Sequence, residues 1–292
     1  MVESFISETR FSRKHHTLSA DLASEFGAKR FLQKYRLPQG MRYAKLAERK
    51  TFYVQEFDTK RVVRWLSKVI LRPRLAIVIG RHTGLYPEEY EENASTTILI
   101  NRYRNFANVR TQILDFLPES VYYDQNVYGA NGKILGEEMA FDLDPENLNC
   151  PIHGSLEKKM SKGQGLSFCR LELDMLREET IRLYEEIQET FSKISLVYSG
   201  RGYHLHVVDR DSFLWTYKAR RDFARQLKKQ GHPIDDWVTS GRLRMIRLPF
   251  TLHGMVSRIV LPLELRELDT FDPIRDKRCI PKFLRSTSSS PS

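Results

Sequence analysis

The stretch VYSGRGYHLHVVD, residues 197–209, decides the architecture. It reads as strand, tight turn and strand, yet it carries two glycines, an arginine and two histidines. Glycine weakens strands and an unpaired buried charge is costly, so the interruption needs a reason other than packing. ISLVYS before the turn and GYHLHVV after it are predicted as strands. On the second strand, Leu205 and Val207 face the core, and His204 and His206 share the opposite face. Ser199, the backbone N–H groups around Gly200 and Gly202, Arg201 and His204 would then form an anion cradle. Small residues let the backbone approach phosphate oxygens, and arginine supplies a fork of donors. A G-x-G by itself decides nothing, and His206 reads as a bystander.

Working outward, EEMAFDLDP (137–145) is a short strand closed by Pro145, which cannot continue a ladder. Leu173, Leu176, Thr180, Tyr184, Ile187 and Phe191 recur at helical spacing. LWTYKARRDFARQLKKQ (214–230) predicts another helix, and LRMIRLPF (243–250) and SRIVLPLEL (257–265) predict further strands. The N-terminal part reads as helical, with SADLASEFGAKRFLQKY (19–35), TKRVVRWLSKVI (59–70) and a basic amphipathic helix over ILINRYRNFANVRTQILDFL (98–117). The expected fold class is α/β (α+β): a core of mixed β-sheets flanked by helices. No Pro/Gly-rich linker interrupts it, so residues 1–285 are expected to form one domain. The tail STSSSPS (286–292) reads as disordered.

The chain has 292 residues, 41% hydrophobic and 29% charged, which is ordinary for a globular protein. No apolar run approaches the roughly 18–20 residues that span a bilayer, and the N-terminus lacks the apolar stretch of a signal peptide. An intracellular protein (cytoplasm or nucleoid) with no membrane partner is expected. Lys and Arg number 47 against 37 Asp and Glu, a net charge of +10 that favours a polyanionic partner. Three cysteines, Cys150, Cys169 and Cys279, argue against a disulfide framework and leave a metal site open.

Three further constellations carry chemistry. In FDLDP, Asp142 and Asp144 project from one face of a strand and would repel each other without a shared cation. Such a pair holds one or two divalent ions for phosphoryl or nucleotidyl transfer; taken alone, it is more often a solvated edge strand with its acidic residues outward. PIDDWVTSGRLRMIRLPFTLHG (233–254) adds Asp235 and Asp236, then Arg242, Arg244, Arg247 and His253. A metal–triphosphate site needs carboxylates for the cation and donors for the phosphates, and the chain supplies both. CPIHG and SFCRLEL place Cys150, His153 and Cys169 as soft ligands, with Glu172 or a distant residue as the fourth. The alternative there is a buried thiol beside an incidental histidine.

The ordered set FDLDP, the Cys/His cluster, VYSGRGYH and IDDWVTSG…IRLPFTLHG resembles the catalytic small subunit of archaeal and eukaryotic replicative primases, within the primase–polymerase superfamily. RKTFYVQEFD (49–58) is similar to that family's N-terminal R-E-F-type stretch, so the resemblance spans about residues 45–285. It implies a primase–polymerase-type core with a small zinc-knuckle-like insertion at 150–172. It also implies Asp142, Asp144 and Asp235 as ligands of two Mg²⁺ or Mn²⁺ ions. Ser199, Arg201, His204, Arg247 and His253 then contact the incoming nucleotide's phosphates, and Cys150, His153, Cys169 and Glu172 stand where the family carries structural zinc. The implied activity is template-directed synthesis of short primers from NTPs or dNTPs, with DNA template, primer and a primase large subunit as partners. A primase–polymerase of a mobile element, a gap-filling or end-joining polymerase, a two-metal nuclease and a non-catalytic nucleic-acid-binding module are the competing readings. The sequence departs from the family in showing three rather than four Cys/His ligands. Gly241 stands where some relatives have a further aspartate, and the interval 205–234 is short.

Overall fold

A computed structural model of the chain describes residues 37–69, 73–79, 97–128, 131–240 and 244–285. The expected helix over 19–35, the tail at 286–292 and residues Gly241 and Arg242 lie outside these. Helices α1 (Leu46–Gln55) and α2 (Thr59–Val69) precede strands β1 (Leu75–Val78) and β2 (Thr97–Ile100). Then follow α3 (Phe106–Phe116), β3 (Ser120–Asp124), β4 (Asn126–Tyr128), β5 (Ile134–Glu137) and β6 (Met139–Leu143). Helices α4 (Leu156–Ser161) and α5 (Arg170–Gln188) lead to β7 (Ile194–Tyr198) and β8 (Tyr203–Val207). Helices α6 (Tyr217–Lys229) and α7 (Asp236–Ser240) precede β9 (Met245–Arg247), β10 (Leu252–His253), β11 (Arg258–Ile259) and β12 (Leu261–Leu263).

Two four-stranded antiparallel sheets result, in the orders β2-β1-β3-β9 and β12-β7-β8-β6, with two-stranded ribbons β4-β5 and β10-β11. Alternation along β6 decides which way the acidic pair points. Met139, Phe141 and Leu143 pack with Leu176, Leu183 and Ile187 of α5 and with Ala224 and Leu227 of α6. Ala140 instead joins Val197, Val121, Ile246 and the helical residues Phe52, Val62 and Val109 in a second core. Asp142 shares the face of Ala140, towards the other sheet.

The mixed, helix-flanked architecture agrees with the sequence expectation, with one systematic difference in the first half. Residues 98–117 are not one helix: 97–100 pair with β1, and the helix starts only after Asn105, whose side chain accepts the Ala107 and Asn108 N–H groups at 3.0 and 3.3 Å. An apolar run containing Ile98 and Ile100 suits a strand, and the Asn cap fixes where the helix begins. Strands β1 and β3, which form the centre of that sheet, fall in a region read only for helices. The run 257–265 divides at Val260 into β11 and β12.

Candidate active site

Asp142 lies opposite His204 in the β6–β8 ladder, its Oδ1 3.3 Å from His204 Nε2. Asp144 follows the strand and caps the single turn Pro145–Asn147, with Asn147 N–H donating to its carbonyl at 3.0 Å. The turn brings in Glu146, which pairs with Arg201. Crowding these carboxyls in a buried place disfavours their charge. Burial and the Glu146 charge push Asp142 up to about 7, and burial with the Asp142 and Glu146 charges pushes Asp144 up to about 8.

The turn 199–202 is held by Ser199 N–H donating to Gly202 O (2.9 Å) and Gly202 N–H donating to Ser199 Oγ (3.1 Å). Its glycines have a cause the sequence reading did not supply. A Cβ on Gly202 would lie 1.9 Å from Leu143 O and 2.9 Å from Asp144 Oδ1. One on Gly200, where φ is +108°, would lie 2.6 Å from the Cβ of His253. The turn is therefore clamped between the acidic strand and the 252–253 segment. Arg201 also lies over the Phe168 ring, 5.5 Å from its centroid.

The opposing sheet supplies Arg247, and segments flanking its strand β9 supply Asp235 and His253. Arg247 donates to Ser120 Oγ (2.6 Å) and to Tyr122 Oη (2.7 Å), and Tyr122 is its ladder partner. Burial, reinforced by His206, holds His204 well below the usual histidine range; burial with Arg247 and Arg201 does the same for His253. Both histidines therefore stand neutral at pH 7. Asp235 is tied to the acidic strand by its N–H, which donates to Asp142 O at 3.0 Å. Its Oδ1 accepts the Trp237 N–H at 2.9 Å.

Asp142, Asp144, Asp235, Ser199, Arg201, His204, Arg247 and His253 all line one cavity of about 270 Å³ between the two sheets. Glu146 and Trp237 line it too and escaped the sequence reading. Strand alternation could not reveal Glu146, because Pro145 ends the strand and the turn Pro145–Asn147 carries Glu146 back to the cavity. His206 is directed elsewhere, its Nδ1 2.7 Å from Glu138 Oε1 and its ring edge-on to Trp65. Arg244 lines the cavity, but its donors go to Glu137 Oε2 (2.7 Å) and to the Glu138 and Thr239 carbonyls (3.2 Å each).

The soft-ligand cluster also assembles. One ligand atom from each of Cys150, His153, Cys169 and Glu172 lies within 4.8 Å of the others, the sole such group among the described residues. Carbonyl and amide groups of Cys150 and Gly154 pair with each other and fold the loop back. Glu172 Oε2 accepts the Cys169 N–H at 2.8 Å, while Oε1 accepts from buried Lys159. Burial pushes the Cys169 thiol up to about 11. Cys279 lies apart, in the core beneath α5.

No family model matches the chain. Over 271 residues it is 44% identical to an uncharacterised DNA primase small subunit-like protein of Archaeoglobus fulgidus, covering 87% of this chain and 95% of that one. The chain belongs to the DNA primase small subunit-like family. It is 25% identical over 213 residues to the DNA primase small subunit of Thermococcus kodakarensis, covering 70% of this chain and 57% of that one. The chain thus matches little more than half the length of that primase subunit. Among solved structures, the polymerase domain of Mycobacterium tuberculosis ligase D in complex with DNA superposes with a TM-score of 0.47 at 16% identity, over 83% of this chain and 88% of that one. No helix among the described residues is long and apolar enough to cross a membrane.

Proposed function

We propose that this member of the family is a template-directed nucleotidyltransferase that makes short primers on DNA, its residues 37–285 acting as one catalytic unit. The carrying observation is the convergence of residues as distant as Asp142 and His253 on one cavity, with carboxyls and phosphate-type donors side by side. The acidic group fits divalent ions: desolvation and neighbouring carboxyl charges raise Asp142 and Asp144 to about 7 and about 8, a cost that a bound cation relieves. Asp142, Asp144 and Asp235 would hold Mg²⁺ or Mn²⁺, which supplies Lewis-acid activation of a 3′-hydroxyl and charge stabilisation at the α-phosphate and pyrophosphate. Ser199, Arg201 and Arg247 orient the triphosphate, and the neutral His204 and His253 each offer one N–H donor to its oxygens. Fixing these groups before the reaction is the main contribution a protein makes to phosphoryl chemistry. The soft cluster fits zinc in a structural role, with two thiols, an imidazole and a carboxylate as donors. A basic surface would hold template and primer through phosphates, and a primase large subunit would be the protein partner.

Incubation with a DNA template, labelled nucleotides and Mn²⁺, with and without primer, tests it. Labelled products without primer are expected. Extension of a supplied primer alone would identify a gap-filling polymerase, shortened input a nuclease, and no product a binding module.

A further inference from the structure

The proposed triphosphate site leaves part of the cavity lining unexplained. Besides the carboxyls, arginines and histidines, Trp237, Val238, Met245, Ile246 and Leu99 line it as well. A triphosphate gains nothing from apolar surface, whereas the nucleoside attached to it does. Two large aromatics line the cavity: Tyr122, which Arg247 engages through its hydroxyl and ring, and Trp237, 46% of which is exposed. The other two tryptophans are packed against protein: Trp65 against His206, and Trp215 against Phe191 and Phe223. Leaving an indole in water forfeits the burial that would reward it, so its place at a cavity rim points to a ligand that covers it. The Trp237 N–H donates to Asp235 Oδ1, which fixes the start of α7 to the third carboxyl. Thr239 Oγ1 donates to Ala140 O at 2.9 Å and ties the same helix to the acidic strand. With the Asp235 N–H donating to Asp142 O, the indole is carried on a segment anchored to the acidic strand on both sides of it.

We infer that Trp237 is a stacking platform for a nucleobase, resting on the proposed reading of the adjacent polar wall as a triphosphate site. A flat indole receives the π-face of any base, so the platform adds affinity without selecting sequence. The base belongs either to the incoming nucleotide or to the DNA strand that crosses the cleft; the chemistry is the same.

The test compares the full-length protein with its W237A and W237F variants, each with Mn²⁺, against three probes: ATP, inorganic tripolyphosphate and a single-stranded oligodeoxynucleotide. ATP or the oligonucleotide is expected to quench the tryptophan fluorescence of the wild type, and tripolyphosphate to leave it unchanged. W237A should weaken the quenching probe at least fivefold, tripolyphosphate binding should stay within twofold, and W237F should recover part of the loss. A loss confined to ATP places the incoming base on Trp237, and a loss confined to the oligonucleotide places a strand base there. Wild-type affinity of W237A for both overturns the platform. Equal weakening of ATP and tripolyphosphate also overturns it, since Trp237 would then only support the fold of the site. Failure of the wild type to bind tripolyphosphate refutes the triphosphate site instead, and a base-dependent loss in W237A would still uphold the platform.

Discussion

Replacing Gly202 with alanine should uncouple the two halves of the cleft. The added Cβ would stand 1.9 Å from Leu143 O and 2.9 Å from Asp144 Oδ1. An ordinary carbon–oxygen contact is about 3.5 Å, so the turn and the acidic strand must part by about 1.5 Å. Neither side is soft. Leu143 O belongs to backbone, and Leu143 and Asp142 are paired in register with Tyr203 and His204. Backbone conformation is no part of the cost, because Gly202 lies outside the left-handed region. Overpacking of this kind costs about 3 kcal/mol, which for a chain of this size lowers Tm by roughly 6–12 °C. The displacement falls on Asp142, Asp144, Ser199 and Arg201 together, and a misplacement of about 1 Å costs on the order of a hundredfold in rate. Differential scanning calorimetry and single-turnover nucleotide incorporation, the latter at a temperature where both proteins are folded, measure the two effects. Gly231→Ala is the control: φ there is +92° but nothing lies within 4 Å of a Cβ, so it should cost about 1–2 kcal/mol and no rate. A G202A protein with the wild-type rate would refute the clamp between turn and acidic strand, whatever its Tm.

Other expectations follow from the charges. The Glu146 charge raises both Asp142 and Asp144, so E146Q should let them ionise at lower pH and move the acid limb of the pH–rate profile downward. Because these two carboxyls rise from 3.8 to about 7 and about 8 on folding, the native state holds more protons than the unfolded chain between those values. The Tm of chelator-treated protein should therefore fall as pH rises from about 4 to 8 on their account, and D144N should flatten the slope. Mn²⁺ should raise Tm more at pH 8 than at pH 5, because it competes with fewer protons. H206A should cost about 1–3 kcal/mol in denaturant unfolding by leaving buried Glu138 short of a partner, with the nucleotide KM unchanged. Metal analysis should find one zinc per chain, lost in C150S; less than about 0.2 equivalents in the wild type would refute the zinc assignment.

Sequence order and alternation were enough to place the acidic strand, the turn and the helices behind them. Asp142 and His204 meet because β6 and β8 are neighbours, and period-2 alternation already put each on its polar face. The first sheet was opaque for a different reason. LAIV is a short apolar strand buried by both faces and shows no alternation, and SVYYD alternates Val121 and Tyr123 with Ser120, Tyr122 and Asp124 over only five residues, so the helices on either side dominate the pattern. For Gly200 and Gly202 the structure adds a packing reason for glycine beside the phosphate-facing role expected of them. Their missing side chains make room for His253 and for Leu143 O, contacts across sequence that no local pattern encodes. Arg247 was legible as a cation, but the Ser120 and Tyr122 hydroxyls that aim it come from a strand the sequence did not reveal.

On the proposed reading, these groups also explain why the cleft tolerates its own charge. Near neutrality Asp142 and Asp144 are substantially protonated, His204 and His253 are neutral, and Glu146 pairs with Arg201. Arg247 is held by two neutral hydroxyls. A cation alone would gain the carboxyls but face Arg201 and Arg247; a polyphosphate alone would gain the arginines but face the carboxyls. A ligand bringing both signs satisfies every group at once, with the protons leaving Asp142 and Asp144 and Glu146 giving up Arg201. Each component therefore strengthens binding of the other, and linkage makes that coupling equal in both directions. Metal titrations with and without tripolyphosphate, and tripolyphosphate titrations with and without metal, should yield the same factor.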